Sequence, residues 1–175
     1  MLERIVTAVV DTSPLMSALI LEYRRRSSPA RSEAILSGSR IAAYLREDEH
    51  RQVAFMQLFD SIPIILTTSH VIGELQGLQT LKGEYQKGFW THAMQWLSAK
   101  GLDEKLVCLI DLYQNESLRL AVGEVGSTDA GLVGLARQVG CFTPAKVLLT
   151  DDRRTLAPLA RQQQVYCYVV EDLLL

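Results

Sequence analysis

The sequence predicts an α/β domain with a mostly parallel central sheet. Three observations carry that expectation. First, Ile5–Val10 and Lys146–Thr150 (KVLLT) are short and rich in apolar residues. They lack the polar alternation of a half-exposed strand, as expected for strands buried on both faces. Second, stretches with apolar residues near i, i+3 and i+4 follow these runs in turn, which is the pattern of crossover helices. Third, the chain has 175 residues, 48% of them hydrophobic. That is enough for a single domain, 1–175, with a sizeable core.

The elements follow in order. Ile5–Val10 is read as the first strand and ends on Asp11. Pro14 suits the first turn of a helix, with Thr12 or Ser13 as its cap, and Leu15–Tyr23 continues it. Arg24–Ser32 (RRRSSPARS) is a polar, basic connection. Residues 41–61 form one helix, closed by Pro63. Ile64–Thr67 is the second strand, and Thr68 or Ser69 caps the helix carrying Glu74. Phe89–Ser98 and Glu104–Tyr113 read as helices, and Leu118–Val122 as a short strand or a helix end. Ser127 or Thr128 caps the helix Asp129–Val139. KVLLT is the next strand, Arg154–Gln163 the next helix and Val165–Val170 the last strand.

Composition narrows the function. A net charge of −2 excludes a protein that coats nucleic acid by overall basicity. Cys108, Cys141 and Cys167 are widely spaced and form no CxxC, so they make neither a disulfide framework nor a zinc knuckle. Buried reduced thiols fit a cytoplasmic setting. No signal-peptide pattern opens the chain, and no stretch approaches the ~20 apolar residues of a membrane span.

The carboxylates are the informative feature. Asp11 abuts a buried strand, where an ionised carboxylate is costly unless paired or metal-bound. Asp151 and Asp152 end the KVLLT strand, Asp129 opens a helix and Glu74 lies early in the helix after the second strand. In parallel sheets, ligands bind at the carboxyl ends of strands, so all of these residues are expected on one edge. Taken singly, each has an ordinary role. Asp129 complements a helix dipole, Asp151 and Asp152 suit a turn or a cap, and Glu74 suits a helix surface. As a set of clustered like charges they call for a cation. Oxygen ligands without histidine or thiolate suit Mg²⁺ or Mn²⁺.

The segments VVDTSPLMSAL, SHVIGELQ, GSTDAGLVGLA and LLTDDRRTLAPLA, in that order, span nearly the whole chain. In them the sequence resembles the PIN-domain ribonucleases, the fold of the VapC-type toxins of bacterial toxin–antitoxin pairs. The resemblance implies a PIN-like three-layer α/β/α sandwich. It also implies a metal-dependent endoribonuclease with Asp11, Glu74, Asp129 and Asp152 as catalytic carboxylates and metal ligands. The chain departs from the family in two ways. The stretch between Asp11 and Glu74 is longer than in compact members. Arg154 stands where a second acid often follows, so Asp151 is a further candidate ligand, and either Asp151 or Asp152 would be the primary one.

An acidic centre repels RNA, so basic residues must hold the backbone. Arg153 and Arg154 are the first candidates, with Arg24–Arg26 and Lys146 behind them. Thr150 and Ser127 are candidates to hydrogen-bond the carboxylates or water. Tyr85, Phe89, Trp90 and Trp96 offer faces for bases, although both tryptophans also suit a core or a dimer surface. The resemblance further implies a homodimer, with the helix faces around Tyr44, Phe55, Phe59 and Trp90 as candidate contacts. It implies too an antitoxin partner, a short chain that would fold into a groove beside the site, walled by Arg24–Ser32. Rival α/β phosphatases need an Asp where Ser13 stands. The three histidines form no HExxH, although His70 and Glu74 share an i, i+4 spacing. A rival of another class is a PIN-like scaffold that binds RNA or protein without cutting.

Overall fold

The computed structural model describes residues 4–38, 41–78, 84–107, 112 and 114–174. Its centre is a five-stranded, all-parallel sheet flanked by helices, an α/β arrangement consistent with a three-layer sandwich. The strands are β1 (Thr7–Val10), β2 (Ile64–Thr68), β3 (Asp103–Lys105), β4 (Lys146–Thr150) and β5 (Cys167–Val169). Their spatial order is β3-β2-β1-β4-β5. Thr7 pairs with both Ile64 and Lys146, and Val9 with Leu66 and Leu148, so β1 is the central strand. Every residue of β1 is buried, which explains its unbroken apolar character.

The helices are α1 (Thr12–Arg25), α2 (Pro29–Gly38), α3 (Ala43–Arg46), α4 (Glu49–Ser61), α5 (Ser69–Leu78), α6 (Glu84–Ala99), α7 (Glu116–Val125), α8 (Ser127–Gln138) and α9 (Leu156–Gln162). A 3-10 turn, Val170–Leu173, follows β5. Leu15, Leu19, Phe55, Phe59, Leu132 and Leu148 are among the residues that fill the core.

Several expectations are corrected. The single helix over 41–61 is two, because the Asp48 side chain accepts from Arg51 N and caps a new start. The connection Arg24–Ser32 shrinks: α1 runs through Arg25 and α2 begins at Pro29, a position that proline favours. Asp103–Lys105 is not helical. It pairs with Leu66–Thr68 at the sheet edge, where tertiary pairing overrides local propensity. The rest of that expected helix lies largely outside the described residues, as does Cys108. Leu118–Val122 lies within α7, capped by Asn115. The last strand stops at Val169 and gives way to the 3-10 turn.

Two of the expected dimer contacts, Phe55 and Phe59, are corrected as well. Phe55 and Phe59 are fully buried and stack at 4.8 Å in the core, out of reach of a partner. Trp90 is half-buried against Phe89, and Trp96 is buried. Cys141 is buried and Cys167 half-buried, both as free thiols. Burial pushes them up to about 11 and about 12. Among the described residues no helix is long and apolar enough to cross a membrane.

Candidate functional site

The strand order reverses at β1. The chain moves outward to β2 and β3, then returns to the other side of β1 as β4 and β5. The crevice above β1 and β4 is therefore the switch point where α/β sheets hold ligands. Asp11 stands at the carboxyl end of β1, and Asp151 and Asp152 at that of β4.

Asp11 is itself the cap of α1, in place of the expected Thr12 or Ser13. One oxygen accepts from Thr12 N at 2.6 Å and the other from Thr150 Oγ1 at 2.7 Å. The residue is only 9% exposed. Burial raises its carboxyl to about 6, against the lowering effect of those two hydrogen bonds, while Asp151 and Glu74 push the same way as burial. Thr150 is fully buried and also accepts from Asp152 N at 2.9 Å. One hydroxyl thus couples the ends of β1 and β4.

Glu74 projects from the exposed side of α5, yet both its oxygens are held. Thr12 Oγ1 donates to Oε2 and Thr128 Oγ1 to Oε1, each at 2.7 Å. The two threonines are chain neighbours of Asp11 and Asp129, so the clamp draws three elements together. Asp129, in the first turn of α8, accepts no hydrogen bond among the described residues. Burial raises it to about 6, and Asp11, Asp152 and Glu74 add to the rise by repulsion. That coupling brings all four predicted carboxylates into one electrostatic neighbourhood.

Asp152 differs. One of its oxygens, Oδ1, accepts from Arg154 N at 2.8 Å and Thr155 N at 2.9 Å, starting the turn into α9. Burial would raise its carboxyl, but the backbone donors of Thr155 and Arg154 outweigh it and hold the group below the ordinary value. Asp151 is tied on both oxygens, by Ser13 Oγ at 2.8 Å and Tyr44 OH at 2.9 Å. It joins α1 and α3 to the end of β4. Its carboxyl is raised, chiefly by burial.

The donor set is all oxygen and suits a hard divalent cation. Both oxygens of Asp129 accept no hydrogen bond among the described residues, whereas Asp152 is also held by the Thr155 side chain and the backbone of Leu156. Asp11 and Glu74 keep a second lone pair on each oxygen. Among the described residues, however, no three His, Cys, Asp or Glu side chains lie close enough together to hold a metal ion. The hydroxyls of Thr12, Thr128 and Thr150 take up the oxygens of Glu74 and Asp11.

Arg153 and Arg154 are both exposed, and Arg153 is ion-paired to Glu171 and Asp172. Ser127 makes no capping bond; Gly126 is the residue before α8, and Thr128 makes the hydrogen bond to the site. Thr128, Ser13 and Tyr44 were not anticipated as site residues. Threonines beside two of the acids are visible in the sequence, but Tyr44 is distant in the chain and gave no signal.

A cavity of about 550 Å³ lies elsewhere, between α1, α2 and α4. Leu21, Arg24, Gln52 and Met56 line it, and Arg24 donates to Ser32 and Gln52. At 1.5 Å per helical residue, Arg24 stands roughly 20 Å along α1 from Asp11. The segment expected beside the site therefore lies at the far end of the helix. No protein-family model matches the chain, and no curated protein or solved structure matches it either.

Proposed function

We propose that this protein is a PIN-like, Mg²⁺- or Mn²⁺-dependent endoribonuclease, working in the cytoplasm as the toxin of a toxin–antitoxin pair. The observation that carries the reading is the repulsion that Asp129 feels from Asp11, Glu74 and Asp152 at the carboxyl edge of a parallel sheet. These acids come from four separate elements, and two of them sit near 6 because burial and like charge disfavour ionisation. A cation relieves both penalties.

When bound, the ion would supply a water of lowered pKa and neutralise charge developing on the phosphate. Asp129 offers oxygens without hydrogen bonds as its first ligand, with Asp152 beside it. Asp11 and Glu74 complete the negative site while Thr150, Thr12 and Thr128 fix their orientation. Asp151 serves here as a tie between elements, because Ser13 and Tyr44 engage both its oxygens. A homodimer and a short antitoxin chain are the partners that the resemblance implies.

The test is cleavage of single-stranded RNA by the purified chain. Cleavage is expected with Mn²⁺ or Mg²⁺ and none with EDTA. Asp11→Asn should lower the rate by at least two orders of magnitude while the circular dichroism spectrum is kept. Cutting in EDTA, or by the variant at the parent's rate, sinks the mechanism. RNA binding without any cutting under all metal conditions favours the scaffold.

A further inference from the structure

Directly after Asp152 the chain presents Arg153, whose guanidinium is gripped as a fork. Nη1 donates to Asp172 Oδ2 at 3.0 Å and Nη2 to Asp172 Oδ1 at 2.7 Å. Nη2 also reaches Glu171 Oε2 at 3.0 Å. The other Glu171 oxygen lies 3.7 Å from Arg51 Nη1 on α4, and Arg51 also pairs with the capping Asp48 at 3.3 Å. Two arginines from different elements thus converge on two consecutive carboxylates. The assembly borders the site: both Glu171 and Arg153 are electrostatic neighbours of Asp151.

We infer that Arg51 and Arg153 form a phosphate-binding pair for RNA at the rim of the carboxylate cluster, and that Glu171 and Asp172 occupy it as an internal substitute for phosphate. The inference rests on the ribonuclease reading and names how that site takes hold of its substrate. A planar guanidinium grips carboxylate and phosphate through the same two parallel bonds. The side chains are 48% exposed at Arg153, 49% at Asp172, 37% at Glu171 and 32% at Arg51. Ion pairs this exposed contribute little to stability and part easily. A phosphate of a polyanion, by contrast, releases condensed counterions when an arginine binds it. The exchange therefore favours RNA at low salt and the 3-10 turn at high salt. It also answers how an acidic centre retains an anionic strand: two arginines at its rim are held in reserve by Glu171 and Asp172.

The test is equilibrium binding of a fluorescein-labelled oligouridine, read by fluorescence anisotropy in EDTA over a range of KCl concentrations. The full chain is compared with its Glu171→Gln, Asp172→Asn double variant. The variant should bind more tightly at low salt. Its plot of log affinity against log salt should be steeper by about 1.4, from about 0.7 for each phosphate neutralised on a single strand. Adding Arg153→Gln to the double variant should remove about half of that increment. If the double variant fails to fold by circular dichroism, Asp172→Asn alone breaks the fork and should steepen the slope by about 0.7. An unchanged slope, or binding no tighter than the parent's, overturns the inference and leaves a simple surface ion pair. EDTA prevents cleavage, so a failure of metal-dependent cutting would leave this result standing. A chain that cuts RNA but shows no change in slope would overturn this inference alone.

Discussion

At the residue scale, Asp11 bears a conflict between burial and charge. Its carboxyl is raised to about 6 from an ordinary 3.8, first by burial, while Thr150 and Thr12 hold part of the charge in place. A folded value above the unfolded one means that the stabilising state is the protonated one. Its contribution is complete below the unfolded value and is lost as pH rises through about 6. Asp129, raised to about 6 by burial and by its acidic neighbours, acts in the same direction. In EDTA, Asp11→Asn should therefore gain stability over the parent as pH rises from about 4 to about 7, by up to roughly 3 kcal/mol. Urea unfolding at the two ends of that range measures it. Equal stability differences at both ends would show that Asp11 carries no such penalty.

At the scale of elements, the junction between α7 and α8 positions half of the site. Gly126 has φ +92° and ψ 168°, a region that essentially only glycine enters. It ends α7 and sets the start of α8, where Thr128 reaches Glu74 and Asp129 faces the other acids. A Cβ placed there meets nothing within 4 Å, so the cost of Gly126→Ala is one of backbone alone. The expected loss is about 1–3 kcal/mol in urea unfolding, with weakened Mn²⁺ binding by calorimetry because α8 shifts. Gly73→Ala serves as the control. It too meets nothing within 4 Å, but it lies inside α5, where alanine should stabilise by about 1 kcal/mol or less. A neutral Gly126→Ala would remove the junction from the account of the site.

At the scale of the whole molecule, the four carboxylates lie at positions 11, 74, 129 and 152 of the chain. Only the folded state makes them electrostatic neighbours, so an ion bound among them would bind the native protein and not the unfolded chain. Under the proposed function, Mn²⁺ at a hundredfold excess over its dissociation constant should stabilise the fold by about 2.7 kcal/mol, with a Tm that climbs as the ion is added. Asp129→Asn should flatten that climb, since Asp129 offers both oxygens without hydrogen bonds. A Tm that is unmoved by Mn²⁺ in the parent would count against a metal at this site.

Local pattern determined much of this protein. The unbroken apolar runs of β1 and β4 read as strands buried on both faces, and an aspartate at the end of each marked the edge where a ligand would sit. That is information about neighbours in the chain, and sequence carries it directly. Tertiary structure alone decided the rest. Asp103–Lys105 became a strand because the edge of β2 was there to pair with it. Phe55 and Phe59, expected at a dimer contact, were enclosed by the packing of the helices. The division of labour among the acids also waited on the fold. Whether Asp151 ties elements together or holds a ligand depends on Tyr44, 107 positions away, and Ser13, 138 positions away. Such long-range hydroxyl partners leave no periodicity or spacing to read, because hydrogen bonds between distant segments arise only once the sheet has set its strands side by side.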